Sequence, residues 1–158
     1  MFRSSFFTLV SNHLSASSPT SKEAPALFEY NNQVYKVIHN RPKSLNAQSM
    51  EMVRLIQQEV NKWNATNNTK VAIFTGAGGK AFSVGGDLKF LYETRRHPQR
   101  AEFHDIIFRE EYLLDYALSV MKPIQVVFLD GFVMGGGVGI SVNAPVRIAT
   151  ENSVFAMP

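Results

Sequence analysis

The chain has 158 residues, of which 45% are hydrophobic and 18% are charged. That balance is typical of one globular domain with a core and argues against a disordered polymer. Its formal charge of +3 is spread along the chain without a basic block, so nucleic-acid binding is not expected. The chain lacks cysteine and its four histidines lack the close spacing of metal ligands, so we expect neither disulfides nor a metal site.

The first 24 residues differ in composition from the rest of the chain. Residues 1–22 are rich in serine, contain the basic residues Arg3 and Lys22, and have no Asp or Glu. This composition predicts a mitochondrial transit peptide, and the alternative is a disordered tail without a targeting role. We therefore separate residues 1–24 from a folded domain over 25–158. An apolar run of about 18 residues, which a membrane span would need, is absent from the sequence.

The folded domain is predicted to begin with a β-hairpin and a helix. Residues 27–30 and 34–38 are β-type stretches that flank the turn-forming pair Asn31-Asn32. Asn46 is predicted to cap the helix that follows. Apolar residues recur at helical spacing in this helix and predict one buried face, which consists of Met52, Val53, Ile56, Val60 and Trp63.

Two units of similar organisation follow, each with an apolar strand, a glycine-rich loop and a helix. The strands are residues 70–75 and 124–129, whose composition predicts that both faces are covered, and loops over 76–86 and 131–139 follow them. The other predicted elements are a short helix capped by Asp87, helices over 102–121 and 136–143, a strand over 146–150 and an apolar stretch over 154–157. Strands that alternate with helices predict an α/β fold with its site at the C-terminal ends of the strands.

The two glycine-rich loops are candidates for binding an oxyanion. In segments 83–87 and 134–139, small residues stand where a strand leads into a helix, and backbone N–H groups there have no intrahelical partner. Two such donors on one oxygen form an oxyanion hole, which acyl-CoA chemistry needs because attack on a thioester puts negative charge on its carbonyl oxygen. The alternative is two tight packing turns. Nucleotide binding is disfavoured, since position 140 is Ile and Gly79-Lys80 is followed by Ala81.

Several motifs resemble the crotonase (enoyl-CoA hydratase) superfamily in order and spacing over about residues 27–158. They are Asn40-Arg41-Pro42, Leu45-Asn46-Ala47, Lys80-Ala81-Phe82, Gly85-Gly86-Asp87, Lys122-Pro123, Asp130-Gly131 and residues 134–137. The resemblance implies a crotonase-like α/β fold of repeated strand-strand-helix units that is C-terminally incomplete in this sequence. It also implies an acyl-CoA substrate without a separate cofactor, because CoA is part of the substrate, and it is compatible with a homo-oligomer.

The resemblance further implies roles for individual residues. The N–H groups of Gly86 and Gly136 would form the oxyanion hole. The path of CoA and its pantetheine arm would run along four more residues, which are Lys43, Leu45, Asp87 and Leu88.

Within the superfamily, the chain looks like the 3-hydroxyisobutyryl-CoA hydrolases of valine breakdown. The similar stretches are residues 108–112, 135–139 and 155–158. Similar hydratases carry a catalytic Glu at the position of Gly139, so the glycine favours hydrolysis over hydration. In this resemblance Glu111 is the Glu that contacts the substrate. Helical periodicity alone does not choose it, because Glu110 lies on an adjacent apolar stripe.

The resemblance places the principal catalytic Glu directly after Pro158 and an Asp further on. We therefore expect these 158 residues to be part of a longer hydrolase, and the alternative is a natural short form without turnover. A second hypothesis is a catalytically inactive crotonase-like interaction protein, such as a component of the mitochondrial ribosome. A third, an enoyl-CoA hydratase or isomerase, is disfavoured by Gly139. If the layers are incomplete, the strand faces over 71–74 and 126–129 are expected to be uncovered.

Overall fold

The computed structural model describes residues 24–97 and 102–158. Apart from Ala24, the predicted presequence lies outside these ranges, so its role stays a prediction. Within the same ranges, none of the helices has the length and apolar character needed to cross a membrane.

A five-stranded sheet forms the first layer of the fold. Its strands, numbered in chain order, are β1 (Ala26–Asn31), β2 (Val34–His39), β3 (Val71–Gly76), β5 (Ile124–Leu129) and β7 (Val146–Ala149). They lie in the order β1-β2-β3-β5-β7, with β1 antiparallel to β2 and all other neighbours parallel. The predicted hairpin is thereby confirmed. The parallel pairing of β3 with β5 brings the loops that follow them to the same edge of the sheet.

A second, parallel sheet of three strands lies partly in segments that we predicted as loops. Its strands, in spatial order, are β4 (Ala81–Ser83), β6 (Phe132–Met134) and β8 (Val154–Ala156). Strands of three residues are too short to produce a recognisable alternation of apolar and polar positions. The pairs β3-β4, β5-β6 and β7-β8 each give one strand to each sheet, and helices follow the first two pairs. The repeated strand-strand-helix organisation is therefore confirmed.

Four α-helices complete the described part of the chain. They are α1 (Met50–Thr66), α2 (Leu88–Arg95), α3 (Glu102–Ser119) and α4 (Gly136–Val142). Asp87 caps α2 as predicted, because its carboxylate accepts a hydrogen bond from the Phe90 N–H at 3.2 Å. The predicted ends of α3 and α4 differ from the observed ends by two residues and one residue.

The predicted cap of α1 is wrong. The helix is capped by Ser49, whose hydroxyl accepts the Met52 N–H at 3.2 Å. Asn46 is unsuited to this role because its side chain is already fully used. The carboxamide accepts the Arg41 N–H and donates to the carbonyls of Ala77, in the loop after β3, and of Ala81, the first residue of β4.

The core lies between the sheets and the helices. Its largest fully buried side chains are Trp63, Phe74, Phe82, Met52, Ile56, Leu114 and Ile140. All five apolar residues predicted for the inner face of α1 are buried. The prediction that β5 is covered on both faces is wrong, because Ile124 and Phe128 are 53% and 38% exposed whereas Gln125 and Val127 on the other face are buried. This exposure agrees with the uncovered strand face expected for residues 126–129.

His39 is the one imidazole fully enclosed in the core of the described residues. Its Nδ1 donates to the Phe82 carbonyl oxygen at 3.1 Å, and its ring lies 4.8 Å from the Phe82 ring. Its Nε2 is buried without a hydrogen-bond partner among the described residues. Burial therefore lowers the pKa of His39 to about 4, and the ring is neutral in the folded protein near pH 7.

This buried histidine predicts a loss of stability in mild acid. Between pH 6.5 and about 4 the unfolded chain binds a proton at His39 that the folded chain does not, so the free energy of unfolding falls as the pH falls through this window. The shift corresponds to about 3 kcal/mol. Urea unfolding across this range should show a shallower pH dependence for His39→Gln, which cannot titrate.

The exposed His97 offers the matched control, since His97→Gln should keep the pH dependence of the unmodified protein. If His39→Gln and His97→Gln gave the same pH dependence, the account of His39 as a buried neutral side chain would be wrong.

Candidate functional site

The two glycine-rich loops contact each other directly. A Cβ built on Gly85 would lie 2.5 Å from the backbone nitrogen of Gly136, so the two backbones touch. Gln48 links the loops through its own backbone and side chain. Its N–H donates to the Gly85 carbonyl at 2.7 Å, its carbonyl accepts the Asp87 N–H at 3.2 Å, and its Nε2 donates to the Gly136 carbonyl at 3.0 Å. One residue thus fixes the distance between the loops.

The N–H groups of Gly86 and Gly136 have no acceptor among the described residues. Gln48 bonds the residues on either side of Gly86, as in a parallel ladder, so the Gly86 N–H points away from it. Gly136 is the first residue of α4, where an N–H has no intrahelical partner. Both glycines are half-buried. The two predicted donors are therefore unpaired and lie on backbones that touch.

The carboxylate of Glu111 reaches this place from α3, and its side chain is 7% exposed. A Cβ on Gly86 would lie 3.9 Å from Glu111 Oε2, and a Cβ on Gly136 would overlap with Oε1, so the carboxylate lies between the two glycines. Glu110 instead forms an ion pair with Arg54 of α1 through two hydrogen bonds of 2.7 and 2.8 Å. Of the two glutamates, Glu111 is therefore the one whose carboxylate lies at the glycines, and its contact with a substrate stays a prediction.

A second carboxylate, that of Asp115, lies one helical turn beyond Glu111. A Cβ on Gly139 would overlap with Asp115 Oδ2 and lie 3.1 Å from its Oδ1. Gly139 stands about one turn beyond Gly136 on α4, so two successive carboxylates of α3 pack against two glycines of α4. A side chain at either position would therefore require the facing carboxylate to move.

Burial shifts both carboxyl groups toward the protonated form. It raises the pKa of Glu111. Burial and then the negative charge of Glu111 raise the pKa of Asp115 to about 7. Within the described ranges, Asp115 Oδ1 and Gln48 Oε1 are buried without a hydrogen-bond partner. Unpaired N–H donors beside carboxyl groups of raised pKa are an arrangement that can stabilise a developing negative charge.

Two of the four residues expected along the CoA path contact neighbouring loops. Asp87 forms an ion pair with Arg41 at 2.7 Å. Partial burial alone would raise the pKa of Asp87, but hydrogen bonds from Arg41 and the Phe90 N–H hold it below its usual range. The Leu45 carbonyl accepts the Val84 N–H at 3.3 Å.

The other two, Lys43 and Leu88, are exposed. Lys43 lies in the short 3₁₀ helix Pro42–Ser44, and Leu88 begins α2 with 78% of its surface exposed. Their role in CoA binding stays a prediction.

A cavity of about 250 Å³ lies beside the loop that contains Gly86. Gln48 and the ion-paired side chains of Arg41 and Asp87 form part of its wall. Leu91 and Ile107 contribute an apolar wall. Leu91 also borders the loop, because a Cβ on Gly86 would lie 3.9 Å from its Cδ1. The cavity therefore combines an ion pair with apolar side chains next to the loop that contains Gly86.

Sequence reasoning missed two residues of this site, Gln48 and Asp115. The position of Asp115, four residues after Glu111, was a usable signal because this spacing places two side chains on one helical face. Gln48 has no comparable signal, since its side chain bonds a carbonyl 88 residues away. In the described ranges, no group of three or more His, Cys, Asp or Glu side chains could hold a metal ion.

The profile of a known family, described as "Enoyl-CoA hydratase/isomerase", matches residues 34–158. The chain belongs to the enoyl-CoA hydratase/isomerase family. The crotonase resemblance read from the motifs is thereby confirmed.

Curated relatives and solved structures extend this assignment. A protein named "3-hydroxyisobutyryl-CoA hydrolase, mitochondrial" from Rattus norvegicus is 42% identical over 96% of this chain and 38% of its own length. Its namesake from Homo sapiens is 39% identical over 93% of this chain and 38% of its own length. The chain thus spans well under half the length of these relatives.

Two solved structures superimpose on this chain. An enoyl-CoA hydratase from Rhodobacter sphaeroides has a TM-score of 0.80 at 28% identity. The aligned region covers 85% of this chain and 40% of the hydratase chain. Pseudomonas aeruginosa AtuE has a TM-score of 0.79 at 28% identity and covers 85% of this chain and 51% of its own. The crotonase-like fold is therefore confirmed.

The packing around the glycines of this family member predicts that Gly136 and Gly86 differ in their tolerance of a side chain. Gly136→Ala would drive a methyl group into the Glu111 carboxylate and to within 2.6 Å of Gln48 Oε1, whereas Gly86→Ala meets its nearest atoms at 3.9 Å. We expect Gly136→Ala to lower the free energy of unfolding by about 1–3 kcal/mol, the usual cost of overpacking. Gly86→Ala should change it by about 0.5 kcal/mol or less, as measured by urea unfolding.

A double variant tests the cause of the difference. The double variant Glu111→Ala/Gly136→Ala lacks the carboxylate, so it should recover part of the stability lost in Gly136→Ala. Equal stability of the two single glycine variants would contradict the observed packing.

Proposed function

We propose that this chain supplies the oxyanion hole and the substrate-contacting carboxylate of an acyl-CoA thioester hydrolase that acts on 3-hydroxyisobutyryl-CoA. The observation that carries the proposal is the pair of unpaired N–H groups, on Gly86 and Gly136, in two touching loops. Relatives named for this activity, at 42% and 39% identity, support the choice of substrate. Because the chain spans 38% of their length, the activity is proposed for the whole protein.

The two N–H groups would act on the thioester carbonyl oxygen, because negative charge develops on this atom during hydrolysis. When a nucleophile attacks the thioester carbon, negative charge moves onto the carbonyl oxygen, and donors aimed at that oxygen bind it more tightly than they bind the neutral carbonyl. The Gln48 bonds to both loops hold the donors in place before the reaction, so little reorganisation is needed. This differential binding lowers the barrier to hydrolysis.

The acyl group would occupy the cavity beside Gly86. With a volume of about 250 Å³ and an apolar wall of Leu91 and Ile107, the cavity suits a short acyl chain. Glu111 lies at the same glycines, and its ionised carboxylate can accept a hydrogen bond from a hydroxyl group. A short acyl chain that carries a hydroxyl group satisfies both features.

The remaining parts of the proposal rest on resemblance. We assign the activation of water to the Glu that the family pattern places directly after Pro158. The relatives are named mitochondrial, and the serine-rich composition of residues 1–24 agrees with import, so we propose the mitochondrial matrix as the location and valine breakdown as the process.

The proposal predicts that removing the Gly86 N–H abolishes most of the hydrolysis. Gly86→Pro in the whole protein lacks this donor, and loss of one oxyanion-hole donor typically lowers kcat about 100- to 1,000-fold. Release of CoA from 3-hydroxyisobutyryl-CoA, followed with a thiol reagent, measures the effect. Gly86 is a better position than Gly136 for this test, because a Cβ at Gly136 would also displace Glu111.

Gly86→Ala is the matched control, since it adds a Cβ but keeps the N–H, and both variants are checked for folding by circular dichroism. A folded Gly86→Pro variant that hydrolyses the thioester at the rate of Gly86→Ala would disprove the role of this donor. Hydration of an enoyl-CoA without thioester hydrolysis would favour the hydratase hypothesis. A folded whole protein without either activity would favour the interaction protein.

A further inference from the structure

Asp115 is a carboxylic acid that neither the family profile nor the motifs assign to the site. Its carboxyl group fills the space in which a side chain at position 139 would lie, one turn along α3 from Glu111. Its Oδ1 is buried, has no hydrogen-bond partner and, within residues 24–97 and 102–158, takes part in no ion pair. An ionised carboxylate in such a place would be poorly solvated.

The elements around Asp115 offer no cation to balance a second negative charge. Helix α3 packs against α1, α2 and α4. Helix α4 contains no titratable residue, and the charged residues of α2, Lys89, Glu93 and Arg95, are exposed. Arg54 of α1 pairs with Glu110 of α3, and His104 of α3 bonds Thr94 of α2. The charge that acts on Asp115 is therefore that of Glu111.

Glu111 is buried, and Asp115 is half-buried with its Oδ1 enclosed. Two carboxyl groups in such places, one helical turn apart, do not both ionise easily, because each negative charge opposes the other and neither is well solvated. One proton therefore stays in the pair over a range of pH. Asp115 Oδ1 is buried without a hydrogen-bond partner, and burial together with the negative charge of Glu111 raises the pKa of Asp115 to about 7, so Asp115 holds a proton up to about neutral pH.

We propose that Asp115 is a positioning residue of the acyl-CoA site, and that it retains a proton so that the pair presents one negative charge, not two, to the N–H groups of Gly86 and Gly136. The inference rests on the proposed function of these donors. A second charge beside them would compete with the thioester oxygen, on which negative charge develops during hydrolysis. The proton on Asp115 is not transferred in the reaction.

The proposal gives a direction to the pH dependence of hydrolysis. Below the Asp115 pKa of about 7, the side chain is neutral and the oxyanion hole faces the Glu111 charge alone. Above it, Asp115 ionises and kcat falls by up to about tenfold per pH unit until it reaches the residual rate of the doubly ionised form. Asp115→Asn mimics the protonated acid in size and charge, so it should lack this alkaline fall.

The activity test uses the whole protein and three variants, with kcat for 3-hydroxyisobutyryl-CoA measured from pH 5.5 to 9. Asp115→Asn should keep the activity seen at low pH and lack the alkaline fall, and Asp115→Ala, which also removes the ionisable group, should lack the fall as well. Asp105→Asn, the same change at an exposed position of α3, should keep the fall. An alkaline fall in Asp115→Asn equal to that of the unmodified protein would overturn the proposal.

A direct titration separates this inference from the proposed function. The carboxyl carbon of Asp115, followed by ¹³C NMR and identified by its loss in Asp115→Asn, should titrate near pH 7 and at lower pH in Glu111→Gln. Titration near the usual value of 3.8 would show that Asp115 holds no proton and would overturn the inference even in an active hydrolase. Titration near pH 7 in a protein that releases no CoA would instead uphold the proton on Asp115 and reject the hydrolase assignment.

Discussion

The close approach of two backbones, at Gly85 and Gly136, is the contact on which the rest of the site depends. Each glycine-rich loop follows a pair of strands, one in each sheet, so the parallel order of β3 and β5 brings the loops to the same edge. Gln48 then holds both loops with three hydrogen bonds. This arrangement leaves two N–H groups without acceptors within the described chain, which is the feature that gives the fold its proposed chemistry.

Glycine serves a second purpose on helix α4. Gly136 and Gly139 leave room for the carboxylates of Glu111 and Asp115, which α3 contributes at matching spacing. The ion pair of Arg54 with Glu110 orients α3 so that Glu111 faces inward. The carboxyl groups of Glu111 and Asp115 are therefore poorly solvated, which disfavours their ionised forms and raises their pKa values.

The sequence predicted the elements whose signals are local. The Asn31-Asn32 hairpin, the buried stripe of α1 and the Asp87 cap depend on neighbours within a few residues, and all were confirmed. Strands β4 and β6 were missed because three residues are too few for a pattern, and Asn46 was misassigned because its partners lie in a distant loop. Motif resemblance pointed to Gly86, Gly136 and Glu111, which the structure brings close together. Asp115 shares a helical face with Glu111 and could have been predicted from this spacing, whereas the contact of Gln48 with Gly136 joins residues far apart in the sequence.

The central claim is that the thioester oxygen lies between the N–H groups of Gly86 and Gly136. The most direct test is a crystal structure of the whole protein with a CoA analogue in which a methylene group replaces the thioester sulfur, so that the ligand is a ketone that cannot be hydrolysed. The account predicts the ketone oxygen at about 2.7–3.1 Å from both nitrogens, with the acyl chain next to Glu111. A ketone oxygen bound to other donors, with both glycine N–H groups left unoccupied, would contradict it.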